Sequence, residues 1–152
     1  MTRYQIHEGE LFLPENASDQ SISAFGLTLG EPAGTKPPEF SFVVSRQPMP
    51  SGMTAHAYTD QQIKSYPQML NGFRLIDRTA APVGGQAAAL IELTWQSDHG
   101  LMHQRQAILA CGTLDGRPAV ALSLTGTTRE GLQEKYRDTF FQMLYGFKMR
   151  AY

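Results

Sequence analysis

The sequence predicts an α+β domain, an antiparallel sheet with two main helices packed on it. Three observations predict it. Strand-like runs succeed one another across short Gly-, Pro-, Asn- and Asp-rich connections of the kind that close hairpins. Two segments, Thr54–Leu70 and the stretch after Thr127, repeat their apolar residues at helical spacing. Finally Glu39–Arg46, EFSFVVSR, alternates as a strand does, with Phe40, Phe42 and Val44 on one side and Ser41, Val43 and Ser45 on the other. The first side is core. The second carries small hydroxyls around a valine instead of the charges of a solvated face, which suits contact with another surface.

In chain order, Tyr4–Leu13 reads as an opening strand pair bent at Gly9, and Ser21–Leu29 as a strand with Phe25 and Leu27 on one side and Ile22 and Ala24 on the other. Gly30–Glu39, GEPAGTKPPE, is a protruding loop, because Pro has no N–H for a ladder and Gly adopts unusual dihedrals. After the strand at Glu39–Arg46, QPMPSGM turns the chain into a helix over Thr54–Leu70. Gln62, Tyr66 and Leu70 share one stripe of it, and Ala55, Thr59 and Ile63 another. Pro67 is expected to kink or end this helix near Ser65. Asn71-Gly-Phe73 stops it, since Asn and Gly tolerate the left-handed conformation.

Leu75–Ala80, Gln86–Gln96, Leu101–Cys111 and Ala119–Gly126 then form an antiparallel meander through Pro82-Val-Gly-Gly85, Ser97-Asp-His-Gly100 and Leu114-Asp-Gly-Arg117. A four-residue loop at Ser97–Gly100 sets Gln96 opposite Leu101, Trp95 opposite Met102, Leu93 opposite Gln104 and Ile91 opposite Gln106. One face thereby mixes large apolar groups with amides. The other sets Glu92 opposite Arg105 as a cross-strand ion pair. Thr127 and Glu130 make a capping-box pattern ahead of a last helix, whose Leu132, Tyr136, Phe140, Met143, Leu144 and Phe147 share one face ended by Gly146. That helix packs on the sheet.

Length and composition fit one domain over residues 1–152, large enough to bury a core without disulfide or metal. With 13 Lys plus Arg against 14 Asp plus Glu, a net charge of -1 and no basic block, nucleic acid and anionic membrane are not expected partners. Charged residues are only 18%, below the roughly 25% of typical soluble domains. The surface is polar but lightly charged, as protein-binding surfaces often are. The opening MTRYQIHEGELFLP has neither a signal-peptide nor a lipoprotein-leader pattern, and no run reaches a membrane span, so the expected location is cytoplasmic. The single Cys111, in the strand-like AILACGTL, reads as a buried small hydrophobe.

The sequence contains no phosphate loop, HExxH, CxxC or GxSxG, so no catalytic residue and no cofactor are expected. His99 and His103 have a metal-like spacing but straddle a turn and a strand, and no metal site is assigned. Asp98 with His99 is an ordinary hairpin tip. Asn16-Ala-Ser18 fits a glycosylation pattern that means little in a cytoplasmic protein.

The opening YxxHExxLxLP, here Tyr4, His7, Glu8, Leu11, Leu13 and Pro14, precedes Asp19-Gln-Ser-Ile22 and Phe42-Val-Val-Ser-Arg46. With Asn71-Gly-Phe73-Arg-Leu75, Trp95-Gln96 and Arg105-Gln106, this order resembles the Eag-type chaperones associated with type VI secretion effectors. These are DcrB-related proteins of Mog1/PsbP-like fold, and the resemblance covers most of the chain. It implies a curved antiparallel sheet flanked by two main helices. It also implies a non-catalytic cytoplasmic homodimer that shields the hydrophobic N-terminal transmembrane helices of a PAAR-domain effector before loading on the secretion spike. Membrane helices associate through small residues and interhelical hydrogen bonds, so a substitute surface needs aliphatic, hydroxyl and amide groups together.

By that resemblance the client-binding residues are Ile22, Ala24, Ser41, Val43, Ser45, Gln62, Met102 and Gln106, with Tyr66 and Leu70 continuing the Gln62 stripe. Tyr66 is bulky where the family has a small residue, and the Met102–Arg105 run is one residue longer than the family pattern. Taken without the resemblance, the residues reach only a small domain with a sheet face suited to a protein partner. Two other readings then stand beside it: a Mog1-like module for a folded soluble partner, with a charged or flat epitope, and a small-molecule-binding cup with a deep pocket.

Overall fold

The structure is a computed structural model of the chain, and it describes residues 2–6, 9–14, 22–34, 36–50, 52–111 and 119–148. The His7–Glu8 part of the opening motif, Asn16-Ala-Ser18 and the Leu114–Arg117 turn lie outside them.

Among the described residues, ten elements follow the predicted order. β1 (Thr2–Ile6) and β2 (Gly9–Leu13) form a separate antiparallel hairpin. β3 (Ile22–Leu27), β4 (Phe40–Pro48), β5 (Arg74–Val83), β6 (Gln86–Ser97), β7 (Gly100–Cys111) and β8 (Val120–Arg129) make one antiparallel sheet in the order β3-β4-β8-β7-β6-β5. The helices are α1 (Ala55–Met69), between β4 and β5, and α2 (Arg137–Tyr145), after β8. The α+β expectation of an antiparallel sheet with two helices is met.

The meander keeps the predicted register, with Ile91, Leu93, Trp95 and Gln96 opposite Gln106, Gln104, Met102 and Leu101. Its turns are tighter than expected. Ser97 pairs with Gly100, leaving only Asp98 and His99 as the turn, and the Ser97 hydroxyl accepts from the His99 N–H at 3.0 Å while donating to the Gly100 carbonyl at 2.9 Å. The predicted Pro82–Gly85 loop shrinks to Gly84 and Gly85, both at positive φ (59° and 81°), as a two-residue hairpin turn of this hand requires. Pro82 and Val83 join β5. A residue without an N–H is tolerated there because β5 is an edge strand.

The two edges differ in kind. β5 carries Pro82, a register shift between Leu75 and Asp77, and the charges of Arg74, Asp77 and Arg78. β3 has no charge, no Pro and unbroken pairing to β4, with Ile22 and Phe25 strongly exposed on opposite faces.

α1 starts at Thr54, whose hydroxyl accepts from the Ala57 N–H at 3.1 Å. The expected break near Ser65 does not occur: the helix runs through Pro67 to Met69. Pro67 costs one backbone bond in the last turn, but Tyr66 beside it is buried against Ile91 and Leu93, and the Leu70 N–H bonds the Tyr66 carbonyl at 2.7 Å. Tertiary packing holds the turn that local preference would release. Gly72, at φ 64°, then reverses the chain as anticipated, and the Asn71 carbonyl accepts from the Gln96 N–H at 2.7 Å.

The capping box at Thr127 and Glu130 is also corrected. Thr127 is a strand residue held in ladders to both Ser41 and Gln104, and Glu130 accepts from Gln133 at 2.9 Å. The chain passes through turns until α2 begins at Arg137. Tyr136, Phe140 and Leu144, four residues apart, do form the predicted buried face, on Phe40, Phe42, Leu109, Leu122 and Leu124. Gly126 makes this close seat possible: a Cβ there would lie 2.7 Å from the Phe140 ring and 3.0 Å from the Phe40 ring.

A pin secures the same region. Glu39 Oε1 accepts from Tyr136 Oη at 2.5 Å and from Lys135 Nζ at 2.8 Å, the Tyr136 hydroxyl accepts from the Leu29 N–H at 3.1 Å, and the Phe40 and Tyr136 rings stack at 5.3 Å.

Candidate functional site

α2 covers the Phe40/Phe42/Val44 side of the sheet. α1 covers only part of the other side. It is tied at its N-terminal end to β4, where Tyr58 Oη donates to Gln47 Oε1 at 2.8 Å, and two turns later to β7, where Tyr66 Oη donates to Gln106 Oε1 at 3.1 Å. From the flank, Arg78 on β5 donates to the Asp60 carboxylate and, at 3.2 Å, to the His56 carbonyl. So fastened, α1 crosses obliquely towards β6, packing Tyr58 with Met49, Ile108 and Ala121, and Tyr66 with Ile91 and Leu93.

What it leaves bare is the region of β3, β4 and β8. The paired registers arrange it in three transverse rows, each read from β7 to β3: Gln104–Thr127–Ser41–Gly26, Gln106–Thr125–Val43–Ala24, and Ile108–Ser123–Ser45–Ile22. Residues within a row share a face, because directly paired residues on neighbouring strands point the same way. Ser41, Ala24 and Ile22 are exposed, Ile22 at 65%, while Val43, Ser45, Ser123, Thr125, Thr127 and Gln104 are half-buried. None of these rows contains an ionisable residue. Arg129, opposite Met102, marks the rim. The Ser and Thr hydroxyls of the three rows make no side-chain hydrogen bond among the described residues.

The structure therefore brings Ile22, Ala24, Ser41, Val43 and Ser45 together on one open floor. Gln62, half-buried, stands on the α1 stripe midway between Tyr58 and Tyr66, at the wall. Tyr66 and Gln106 are buried at 8% and 6% exposure and bonded to each other, so they act first as the seam between helix and sheet. Burial pushes the Tyr66 hydroxyl pKa above the usual tyrosine value, against a smaller opposing effect of the Gln106 bond, and burial raises Tyr58 likewise. Leu70 belongs to the core cluster of Tyr66, Ile91 and Leu93, with Phe73 and Trp95. Met102 lies half-buried opposite Trp95, beyond the three rows. Missed by sequence reasoning were Ser123, Thr125, Thr127 and Gln104. The alternation of the three β8 hydroxyls was visible in ALSLTGTTR, but only the β4–β8 pairing shows that it faces the floor, and the β7–β8 pairing adds Gln104.

The histidine spacing leads nowhere. His99 is exposed at a turn tip, whereas His103 is 3% exposed with Nε2 2.8 Å from Glu92 Oε1, and no cluster of three metal-ligating side chains occurs among the described residues. That contact also corrects the expected Glu92–Arg105 pair. The two residues are opposite, but the Glu92 carboxylate turns to His103, and Arg105 donates to the Gln133 carbonyl at 3.0 Å. Cys111 is half-buried, and burial raises its thiol pKa.

The result is an antiparallel α+β domain with an uncharged, half-covered sheet face. The chain belongs to the DcrB family, whose match extends over residues 8–145. It is 33% identical over 128 residues to Effector EagT6 of Pseudomonas aeruginosa PAO1, covering 84% of this chain and 83% of that one, which bears out the Eag-type resemblance. Among solved structures it is similar to PA94, a Pseudomonas aeruginosa protein of unknown function (TM-score 0.78, 30% identity, 100% of this chain and 99% of that one). The fold is shared with LpqN of Mycobacterium tuberculosis, a protein involved in cell envelope biogenesis, at TM-score 0.57 and 14% identity over 87% and 85% of the two chains. It is shared too with the PsbP protein of Synechocystis, at TM-score 0.52 and 15% identity over 93% and 87%. No helix among the described residues is long and apolar enough to cross a membrane.

Proposed function

We propose that this protein is a non-catalytic cytoplasmic chaperone that binds the hydrophobic N-terminal transmembrane helices of a PAAR-domain effector and shields them from water until the effector is loaded on a type VI secretion spike. It does so as a homodimer, with no cofactor and no direct contact with membrane or nucleic acid. The observation that carries this reading is the open floor beside α1, where Ile22, Ala24 and Val43 alternate with the free hydroxyls of Ser41 and Ser45.

The dimensions support one helix as occupant. Strands lie about 4.8 Å apart, so β3, β4 and β8 span roughly 10 Å between outer axes, close to the 10–12 Å diameter of a helix with its side chains. A helix laid there would run alongside α1 at the usual spacing of about 8–10 Å. The chemistry supports an apolar one. An ion-free floor gives no compensation to charges brought against it, whereas each buried Å² of aliphatic surface gains about 25 cal/mol. The likeness to EagT6 points to an effector as the source of the helix.

The test is co-expression of the chain with the N-terminal region of its cognate PAAR effector. A soluble complex is expected, and Ser41→Leu should weaken it while leaving the melting temperature unchanged. An effector segment that stays equally soluble and uncaptured with and without this chain would overturn the reading.

A further inference from the structure

The connection from β3 to β4 comes back over the sheet. Gly26 shares a row with Ser41 and Thr127, so a Cβ added to it would project on the floor side, where it would lie 2.7 Å from Pro38 Cγ and 2.9 Å from Pro38 Cβ. The Pro38 ring is therefore seated on the first row of the floor, a close approach of the kind that a glycine inside a strand permits. Both feet of the connection are held. The Glu39 N–H donates to the Thr28 hydroxyl at 3.1 Å, and one buried phenol, Tyr136, bonds the Leu29 N–H on one foot and the Glu39 carboxylate on the other. Pro37 and Pro38 add fixed φ angles, and Lys36 Nζ lies 3.2 Å from Glu31 Oε1 across the outer part.

A cation stands across from this ring. Arg129 pairs with Met102 one row beyond Thr127 and so points to the floor side, and it is exposed with no ion pair among the described residues. By contrast Lys36 faces Glu31, Lys135 faces Glu39, and Glu130 accepts from Gln133. β3 and β8 are two strand spacings apart, so Pro38 and Arg129 flank a gap of about 10 Å, one helix wide.

We infer that Pro38 and Arg129 form an end wall that fixes the register and polarity of the bound helix, whose C-terminal turn comes to rest against it. The inference rests on the proposed chaperone reading and deepens it. The last four carbonyls of a helix have no partner within it and carry about half a negative charge. A guanidinium only donates, so it suits that end and opposes the N-terminal one, where the free groups are N–H donors. The proline ring, fixed from behind by Tyr136, blocks further travel along the strands. The residues that follow a sheltered helix therefore leave the sheet beside the β3–β4 connection.

The experiment places a benzophenone side chain at the exposed Lys36 position of the full chain and adds a Leu/Ala peptide of about 20 residues, a membrane-span length. Glutamines flank the peptide at both ends, and its termini are acetylated and amidated, so the ends differ only in the helix dipole. After irradiation, mass spectrometry should find the crosslinks confined to a terminal turn of about four residues and about threefold more frequent at the C-terminal end, the size of one exposed charge–dipole contact. Arg129→Gln should equalise the two ends without spreading the crosslinks. Pro38→Gly should spread them into the peptide interior with capture unchanged. Both positions are exposed, so the first variant should melt as the wild type does and the second within a few degrees of it. Wild-type crosslinks that are spread along the peptide, gathered at its N-terminal end or absent despite capture overturn the inference and leave the chaperone reading standing. So does an end preference that survives Arg129→Gln. A chain that does not capture the peptide overturns both.

Discussion

The Tyr66 hydroxyl donates to the Gln106 side-chain oxygen across 3.1 Å, joining α1 to β7 between residues 40 apart in sequence, both of them buried. The bond fixes where the helix lies and therefore how much of the sheet stays open.

Tyr66→Phe should cost about 1–2 kcal/mol, since it leaves the buried Gln106 oxygen unpaired, and a lower urea midpoint would show it. The loss should depend on pH in one direction. Burial holds the Tyr66 pKa up, so the folded state favours the neutral phenol. That contribution is complete below the ordinary tyrosine pKa of about 10 and disappears as pH rises through the higher folded value. Wild type and variant should therefore converge in stability at alkaline pH.

Gly126→Ala should destabilise by about 1–3 kcal/mol, the cost of overpacking, because the new methyl would meet the Phe140 and Phe40 rings at 2.7 and 3.0 Å in the closed core under α2. Thermal melting would register a drop of several degrees. Restoring space with Phe140→Leu in the same chain should recover part of it.

Glu39→Gln should weaken the pin to α2, with the opposite pH dependence. The hydrogen bond from Lys135 and then that from Tyr136 hold the Glu39 carboxyl below its usual pKa. Its contribution is present above the ordinary carboxylate value of about 4.3 and fades as pH falls through the lower folded one. Urea midpoints at about pH 7 should separate wild type from variant, and the separation should shrink as pH is lowered below about 4.3.

Ala24→Lys places a charge on an exposed floor position, where surface substitutions usually change stability by less than about 0.5 kcal/mol. Capture of an apolar peptide should fall at least tenfold with the melting temperature unchanged. Equal capture by the variant would remove β3 from the client site.

Much of this was legible from residue order. The alternation of Glu39–Arg46 separated a core face from a more open one, and the short connection after Gln96 was enough to set the β6–β7 register. What escaped was decided by residues distant in sequence. Thr127 and Glu130 fit a helix start, and only the ladders to Ser41 and Gln104 make Thr127 a strand residue. Pro67 signals a helix end, and only the sheet beneath Tyr66 carries the helix past it. Glu92 and Arg105 were correctly set opposite, but the nearer His103 takes the carboxylate. The floor was half seen for the same reason: β4 revealed its side of it, whereas β8 could be assigned only after the two strands were known to be neighbours.

The contrast between the two sheet margins determines how this molecule can meet others. Along β5, a proline, a dislocated ladder and three charges obstruct any incoming backbone. Along β3, among the described residues, no charge, proline or break in the ladder interrupts the strand, so the border next to the floor carries none of the features that block the addition of another strand. Under the proposed chaperone reading, cargo and a second copy approach from that same side, and the charged far border stays with the solvent.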